Sequence, residues 1–422
     1  MKRRDVLKRL ALLPIAGHAL STLELLAATP NTASNLPAGR LSSKVQPDGL
    51  ALHKEAFVMD GHIHVMSRQL LEGLDIGDRY SDGTVDLPRA REGGLDAMFF
   101  SVYTEEDYYP GRHEVKNTFR VVELALEQIE KNRDVIELAL TASDIERINR
   151  RGKMAAFLDL EGPFDMEGDL LLLRALYRLG LRSAQLTAHN VTNAFIDATG
   201  AERKWGGINE LGRQIIAEMN KLGMVINVAH ASDEGILQTV EASEQPVAYT
   251  HGGFRGIVDH PRCITDENAV ALAAKGGVIG IQFGNTFNNP KFSEWTSQTP
   301  PPPTPGAPNM NTDPSLTITE VDSQVAEGLP FTFRSEIPDE YWMSVDQLAR
   351  VIDYGVQLVG EDHVALGADF DGGPELPREI QDISDYPQIT LAMQRLGYTE
   401  ERIKKILGLN WLRLIRDVTE GA

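Results

Sequence analysis

Residues 56–64 read Ala-Phe-Val-Met-Asp-Gly-His-Ile-His, an apolar run that ends in two histidines separated by one residue. This pattern predicts a buried strand over Phe57–His64. Because residues i and i+2 of a strand point to the same face, His62 and His64 are expected to aim at one point. Two converging imidazoles suit a divalent transition metal. Two solvated histidines at a polar strand end are the alternative, and the rest of the chain decides between them.

The rest of the chain repeats short apolar runs in alternation with longer amphipathic segments. The predicted strands are Phe57–His64, Ala97–Tyr103, Met154–Glu161, Ser183–His189, Val225–His230, Val247–His251, Val278–Phe283 and Val364–Asp369. Helical periodicity is clearest over Asn117–Lys131, Leu211–Leu222 and Val345–Val359, and Glu400–Thr419 is predicted as a helical segment that closes the fold. Eight strand–helix units in succession predict an α/β fold, the parallel (β/α)8 TIM-type barrel.

Two segments fall outside this alternation. Residues 1–35 combine Arg3-Arg4-Asp5-Val6-Leu7-Lys8 with a broken apolar stretch and small residues, an arrangement that resembles a twin-arginine signal peptide and predicts a periplasmic protein. An amphipathic N-terminal helix is the alternative. Residues 36–50 are then a linker and 51–422 the barrel. Residues 285–335, rich in proline, are predicted as an insertion after the seventh strand: a lid, a specificity loop or an oligomer arm. A disordered loop accounts for the same composition.

Composition excludes several classes of protein and site. The formal net charge of −20 argues against a nucleic-acid partner, which requires a basic surface. The single cysteine, Cys263, excludes an intrachain disulfide and a zinc site built from several cysteines. No apolar run after the signal is long enough to span a membrane. Any metal must therefore be held by histidines and carboxylates.

Six of the eight predicted strands end in a residue that can bind a metal or move a proton. Five of the ten histidines lie at these ends, together with Glu161 and Asp369. In such barrels the catalytic groups gather at the C-terminal mouth. Singly, each residue has another explanation: His189 can hydrogen-bond a loop, Glu161 can belong to a turn, and Asp369 can cap the next segment.

His62, His64, His230 and His251 with one carboxylate match a two-metal hydrolase site. Two ions about 3.5–4 Å apart can share a bridging carboxylate and a bridging hydroxide. Glu161 is the predicted bridge, because no lysine ends the third or fourth strand to act as a carbamylated bridge. Asp369 is the predicted acid/base that takes the water proton and passes it to the leaving amine.

At these positions the chain resembles the membrane (renal-type) dipeptidases, peptidase family M19 of the amidohydrolase superfamily. The resemblance runs from about Ala56 to Leu414. It rests on Asp60-Gly61-His62, Glu161-Gly162, the residues 186–190 and 228–233, Thr250-His251, the residues 367–372 and the residues 405–408.

The resemblance implies two zinc ions, one bound by His62 and the residue two positions on, the other by His230 and His251, with Glu161 between them. It also implies that His189 binds substrate and stabilises the tetrahedral oxyanion. Arg262 would bind the dipeptide carboxylate, with Arg255 as a rival for that role. A homodimer is what the family suggests.

One residue departs from the family pattern. The family usually has His-x-Asp on its first strand, whereas this chain has His62-Ile63-His64. The imidazole makes the first site one charge more positive and closer to the His-x-His pattern of other amidohydrolases. The resemblance as a whole implies a dipeptidase, including action on dipeptides with a D-residue at the C-terminal side. Hydrolysis of another small molecule, an N-acyl amino acid or a lactone, and a non-catalytic exported binding protein are the alternatives.

Overall fold

The computed structural model describes residues 49–66, 73–104, 113–162, 168–187, 192–298, 317–320 and 337–421. The predicted signal peptide, nearly all of the linker, His189 and most of the proline-rich segment lie outside these ranges. The barrel predicted for residues 51–422 lies mostly within them.

Among the described residues, nine parallel strands form one sheet: β1 Met59–Ile63, β2 Ala97–Tyr103, β3 Ile136–Leu138, β4 Met154–Glu161, β5 Ser183–Gln185, β6 Val225–Asn227, β7 Val247–Tyr249, β8 Val278–Ile281 and β9 Val364–Leu366. Eight of them follow each other around a barrel in the order β1-β2-β4-β5-β6-β7-β8-β9. A parallel bridge between Ile63 and Phe370 joins the two ends of this order. The amide of His64 donates to the carbonyl of Phe370 at 3.0 Å, and the amide of Asp369 donates to the carbonyl of His62 at 2.9 Å. The predicted (β/α)8 barrel is confirmed.

The strand prediction was wrong in two respects. It missed β3, a three-residue strand that pairs only with the beginning of β4. It also extended several strands through their functional residues, which instead follow the strand ends. His230 and Asp369 have φ angles of +66° and +65°, and a residue in this left-handed region cannot continue a strand.

Helices surround the sheet and agree with the predicted segments. Val345–Val359 has its predicted bounds, and Ser344 and Gln347 form a capping box that fixes its start. The predicted insertion, in contrast, begins with two helices, which the stacked rings of Trp295 and Tyr341 help to fix. Among the described residues, no helix is long and apolar enough to cross a membrane. The helices are Gly49–Glu55, Leu87–Glu92, Glu114–Lys131, Ala142–Asn149, Leu170–Arg178, Glu210–Leu222, Asp233–Ala242, Asp266–Ala274, Asn285–Asn288, Pro290–Gln298, Val345–Val359, Pro387–Arg395, Glu400–Lys404 and Asn410–Thr419, with a π-turn at Lys405–Leu409 and 3₁₀ turns at Asp339–Tyr341 and Ile383–Asp385.

The C-terminal segment closes the floor of the barrel, as predicted. Trp411 is fully buried, lies 5.2 Å from the ring of Phe99, and donates its indole N–H to the carbonyl of Leu366 at 2.8 Å. Position 61 must be glycine here, because a Cβ on Gly61 would lie 2.5 Å from Cζ2 of Trp411. The apolar floor therefore fixes the strand that carries the two histidines of the opening motif.

Replacing Trp411 tests this contact. Trp411→Ala should lower the free energy of unfolding by about 3–5 kcal/mol through lost packing and a residual cavity. Trp411→Phe should cost less, about 1–3 kcal/mol, mainly because the Leu366 carbonyl loses its donor. Urea denaturation measures both. Trp205→Ala, at a half-buried position outside the floor, is the control and should cost less than Trp411→Ala. Equal losses for the two alanine variants would contradict this role of the floor.

Candidate metal centre

Two imidazoles from the end of β1 converge on one oxygen of Glu161 at the end of β4. The Nε2 atoms of His62 and His64 lie 3.1 Å apart, and each lies 3.2 Å from Oε2 of Glu161. We call His62, His64 and the carboxylate atoms they face the first cluster. All three side chains are buried.

A second pair of imidazoles converges on the other oxygen of Glu161. The Nε2 atoms of His230 and His251 lie 3.1 Å apart, and they lie 3.1 Å and 3.8 Å from Oε1 of Glu161. We call this group the second cluster. Because its two oxygens face different histidine pairs, Glu161 has the geometry of a bridging carboxylate.

Asp369 joins the first cluster from the chain that follows β9. Its Oδ1 lies 3.2 Å from Nε2 of His64 and 3.8 Å from Nε2 of His62. This oxygen is buried and has no hydrogen-bond partner among the described residues. The other oxygen, Oδ2, accepts a 2.7 Å hydrogen bond from the side-chain amide of Gln282. Asp369 can therefore serve as a metal ligand as well as in the proton-transfer role that its sequence position suggested.

These donor atoms fit divalent cations. In each pair the two Nε2 atoms lie 3.1 Å apart, so neutral imidazoles bring two nitrogen lone pairs together with the facing carboxylates. The unpartnered Oδ1 of Asp369 adds a further oxygen donor. Ligand atoms of His62, His64 and Asp369 lie within 4.8 Å of one another, as do those of His62, Glu161 and His251. Imidazole nitrogens with carboxylate oxygens suit zinc and its first-row neighbours.

The buried charges of the centre shift the pKa values of His62 and His64 and the pKa of Glu161 in opposite directions. Burial alone would raise the pKa of Glu161, but the charge of His62 and hydrogen bonds from His230, His62 and His64 hold it well below its ordinary value. Burial lowers the pKa of His62, yet the charge of Glu161, its hydrogen bond to His62 and the nearby carboxylate of Asp159 raise it to about 10. Against the same effect of burial, the nearby carboxylates of Asp369 and Glu161 raise the pKa of His64 to about 9.

Asp60 fixes the position of the opening motif. Its carboxylate accepts hydrogen bonds from the amide of His62 at 2.8 Å, the amide of Ala368 at 3.1 Å and the hydroxyl of Tyr386 at 2.6 Å. It thereby joins the end of β1 to the end of β9. This role of Asp60 was not predicted from the sequence, in which its signal is an acidic residue inside an apolar strand.

Backbone strain coincides with the site. Among the described non-glycine residues, those with φ in the left-handed region are His230, Asp369 and Asp371. This conformation costs roughly 1–2 kcal/mol for a residue with a Cβ. Two of the three belong to the clusters, which is where such strain is expected when the surrounding contacts fix the geometry.

The two arginines proposed for a substrate carboxylate have different surroundings. Arg255 forms a two-pronged ion pair with Asp233 and also donates to the carbonyls of Pro261 and Cys263. Arg262 has no carboxylate within 4 Å among the described residues. Its guanidinium carbon lies 5.4 Å from the ring centre of Phe287, and one of its nitrogens lies 3.5 Å from the hydroxyl of Tyr249.

Arg262 is also close enough to the second cluster to act on it electrostatically. Burial lowers the pKa of His251 most, and the positive charges of His62 and Arg262 lower it further. The geometry therefore leaves Arg262 available to an anion near the metal centre, whereas Arg255 is already neutralised. His189 lies outside the described residues.

Fold and site together define a metal-dependent hydrolase barrel. The family model for membrane dipeptidase, peptidase family M19, matches residues 49–422. The chain belongs to this family, and it is a hydrolase of the metallopeptidase class.

Curated relatives and solved structures agree with this assignment. The chain is 28% identical over 351 residues to the dipeptidase tcpJ of Claviceps purpurea, covering 81% of this chain and 70% of that protein. It is 27% identical over 348 residues to the dipeptidase aclJ of Aspergillus oryzae, covering 81% and 71%.

Two crystal structures share the fold at lower sequence identity. The probable dipeptidase PvdM from Pseudomonas aeruginosa has a TM-score of 0.74 at 22% identity, over 90% of this chain and all of that one. A metallopeptidase from Rhodobacter sphaeroides, solved with a phosphinate mimic of the dipeptide L-Ala-D-Ala, has a TM-score of 0.69 at 22% identity, over 86% and 99%.

Metal binding should release protons from the first cluster. Ligand imidazoles must be neutral, whereas the pKa values of His62 and His64 are raised to about 10 and about 9 by the surrounding carboxylates, so affinity for zinc should rise with pH up to that range. Calorimetric titration of metal-free protein in buffers of different ionisation heat, at neutral and alkaline pH, counts the protons. A zinc affinity that does not change with pH, without proton release, would contradict the charge balance described for the centre.

Proposed function

We propose that the chain is a zinc-dependent dipeptidase that hydrolyses the peptide bond of dipeptides. The observation that carries the proposal is the bridging geometry of Glu161, whose two oxygens face two separate histidine pairs at 3.1–3.8 Å. Membership of the dipeptidase family supports the same reaction. Divalent ions held there would polarise the scissile carbonyl and lower the pKa of a nearby water.

Asp369 is the group proposed to move the proton. The amide of Gln282 holds its Oδ2, so its unpartnered Oδ1 is directed at the imidazoles of the first cluster. From this position Oδ1 can take a proton from the attacking water and deliver it to the nitrogen of the leaving amine. Such proton transfer contributes roughly 10²–10⁴-fold to the rate of a hydrolase.

Arg262 is the proposed partner of the substrate carboxylate. Its guanidinium has no competing carboxylate among the described residues and its charge reaches His251. A planar guanidinium binds a carboxylate through two parallel hydrogen bonds. The phosphinate mimic of L-Ala-D-Ala found with a structural relative supports dipeptides with a C-terminal D-residue as substrates. His189 is the second residue proposed to contact the substrate.

A second candidate is hydrolysis of an N-acyl amino acid at the same centre. The observation that favours it is His64, whose Nε2 takes part in the first cluster where the family usually has a carboxylate. Export to the periplasm, which rests on Arg3 and Arg4, and a homodimer also stay predictions.

Replacing Asp369 tests the proton-transfer role. Asp369→Asn should lower kcat for dipeptides about 10²–10⁴-fold, because the amide cannot accept the proton. The measurements are steady-state kinetics on a panel of dipeptides and N-acyl amino acids, with zinc content determined on the same samples. Asp371→Asn is the matched control, since the Asp371 carboxylate accepts hydrogen bonds from Thr84 instead. Full activity of the Asp369→Asn variant would contradict the proton-transfer role. Cleavage of N-acyl amino acids by the unsubstituted protein, without any dipeptide cleavage, would favour the second candidate.

The two arginines give a paired test of substrate binding. Arg262→Ala should raise KM about 10–100-fold for dipeptides with a free carboxylate, as expected from losing a charged hydrogen-bonded pair of about 1.5–3 kcal/mol. C-terminally amidated analogues should bind both proteins equally. Arg255→Ala removes the ion pair with Asp233 and should lower stability without this selectivity. A carboxylate-selective loss in the Arg255 variant alone would reverse the assignment.

A further inference from the structure

A polar layer lies inside the barrel between the apolar floor and the metal centre. On β4, alternate residues Phe157, Asp159 and Glu161 share one face, and these belong to the floor, the layer and the centre in turn. Strand register places Ser101 beside Asp159 on one side and Ser183 on the other. Barrel interiors are ordinarily filled by branched apolar side chains. The fully buried carboxylate of Asp159 departs from this rule, and its position beneath the metal centre needs a structural explanation.

Asp159 lies behind His62. Its Oδ2 is 3.5 Å from Nδ1 of His62, and both side chains are fully buried. Because Nε2 of His62 faces the first cluster, a metal bound there leaves the ring proton on Nδ1. No other carboxylate lies within 4 Å of this nitrogen among the residues that the structure describes. In this structure Nδ1 of His62 has no hydrogen-bond partner among the described residues, and Asp159 is the carboxylate positioned to accept its proton when Nε2 binds a metal.

Thr250 lies behind His251 in the same way. Its hydroxyl oxygen is 3.1 Å from Nδ1 of His251, whose Nε2 faces the second cluster. Each of the two clusters thus contains one imidazole with a buried oxygen behind its distal nitrogen. The rings of these two histidines, His62 and His251, also stack with their centres 3.9 Å apart.

Asn227 joins the two arrangements. Its side-chain amide donates to Oγ1 of Thr250 at 2.7 Å and to Oδ2 of Asp159 at 3.4 Å. Its carbonyl oxygen accepts from the backbone amides of Ala229 at 3.1 Å and Thr250 at 3.3 Å, which fixes the orientation of the amide group. One buried side chain is therefore hydrogen-bonded to the groups behind both clusters.

We propose that Asp159, Asn227 and Thr250 are positioning residues that form one hydrogen-bonded layer and set the orientation and proton position of His62 and His251. The inference rests on the proposed two-metal site. Groups that accept the second ring N–H of a metal-bound histidine change metal affinity by about 10–100-fold when they are removed. The layer gives a site-selective expectation: Asp159 acts on the first cluster, Thr250 on the second, and Asn227 on both.

The test measures each cluster alone. In a His230→Ala background, which disables the second cluster, Asp159→Asn should weaken zinc binding about 10–100-fold and Thr250→Val less than about threefold. In a His64→Ala background, which disables the first, Thr250→Val should have the large effect and Asp159→Asn the small one. Asn227→Ala should weaken binding in both. Competition with a chromophoric chelator gives the affinities, and circular dichroism of the metal-free proteins checks the fold.

Two further variants separate positioning from general loss of packing. Thr250→Ser keeps the hydroxyl and should restore the affinity that Thr250→Val loses. Ser101→Ala removes a buried hydroxyl of the same layer that has no hydrogen-bond partner among the described residues, and should leave zinc affinity unchanged. The inference would be overturned if, in both backgrounds, the Asp159→Asn and Thr250→Val variants bound zinc with the same affinity as the background protein. Failure of the unsubstituted chain to bind zinc or cleave dipeptides would instead count against the proposed function, so the two failures are distinguishable.

Discussion

The structure depends on one buried carboxylate shared between two pairs of histidines. A charged Glu161 in a dry barrel mouth would be costly without partners, since burial removes its hydration. His62 and His64, whose Nε2 atoms lie 3.2 Å from one of its oxygens and whose pKa values are raised, supply compensating positive charge, and divalent ions bound by the four imidazoles would replace it. Because the four histidines come from three different strand ends, only a closed barrel brings them to the same carboxylate.

Three levels of the barrel interior support the contact between Glu161 and the histidines. The floor, closed by Trp411, fixes strand β1 through Gly61. Above it, Asp159, Asn227 and Thr250 form the polar layer behind the histidines. At the mouth, strained backbone at His230 and Asp369 turns these side chains inward. Asp60 then ties the first and last strands together, so that the opening motif and Asp369 keep a constant separation.

Strand periodicity and the placement of reactive residues at strand ends were sufficient to predict the barrel and to select His62, His64, Glu161, His230 and His251. Their convergence follows from the geometry of parallel strands. The orientation of Asp369 toward the first cluster could not be predicted, because it depends on Gln282 from another strand. The choice between Arg262 and Arg255 likewise depended on Asp233, an ion pair formed through loop packing. The strand β3 was too short for its period to be visible in the sequence.

The most direct measurement is anomalous diffraction from crystals of the zinc-loaded protein. We predict two zinc peaks about 3.5–4 Å apart, one beside each oxygen of Glu161. One peak should lie at His62 and His64, and the other at His230 and His251. A single peak, or two peaks that both lie on one side of Glu161, would contradict the bridging arrangement from which the proposed function was drawn.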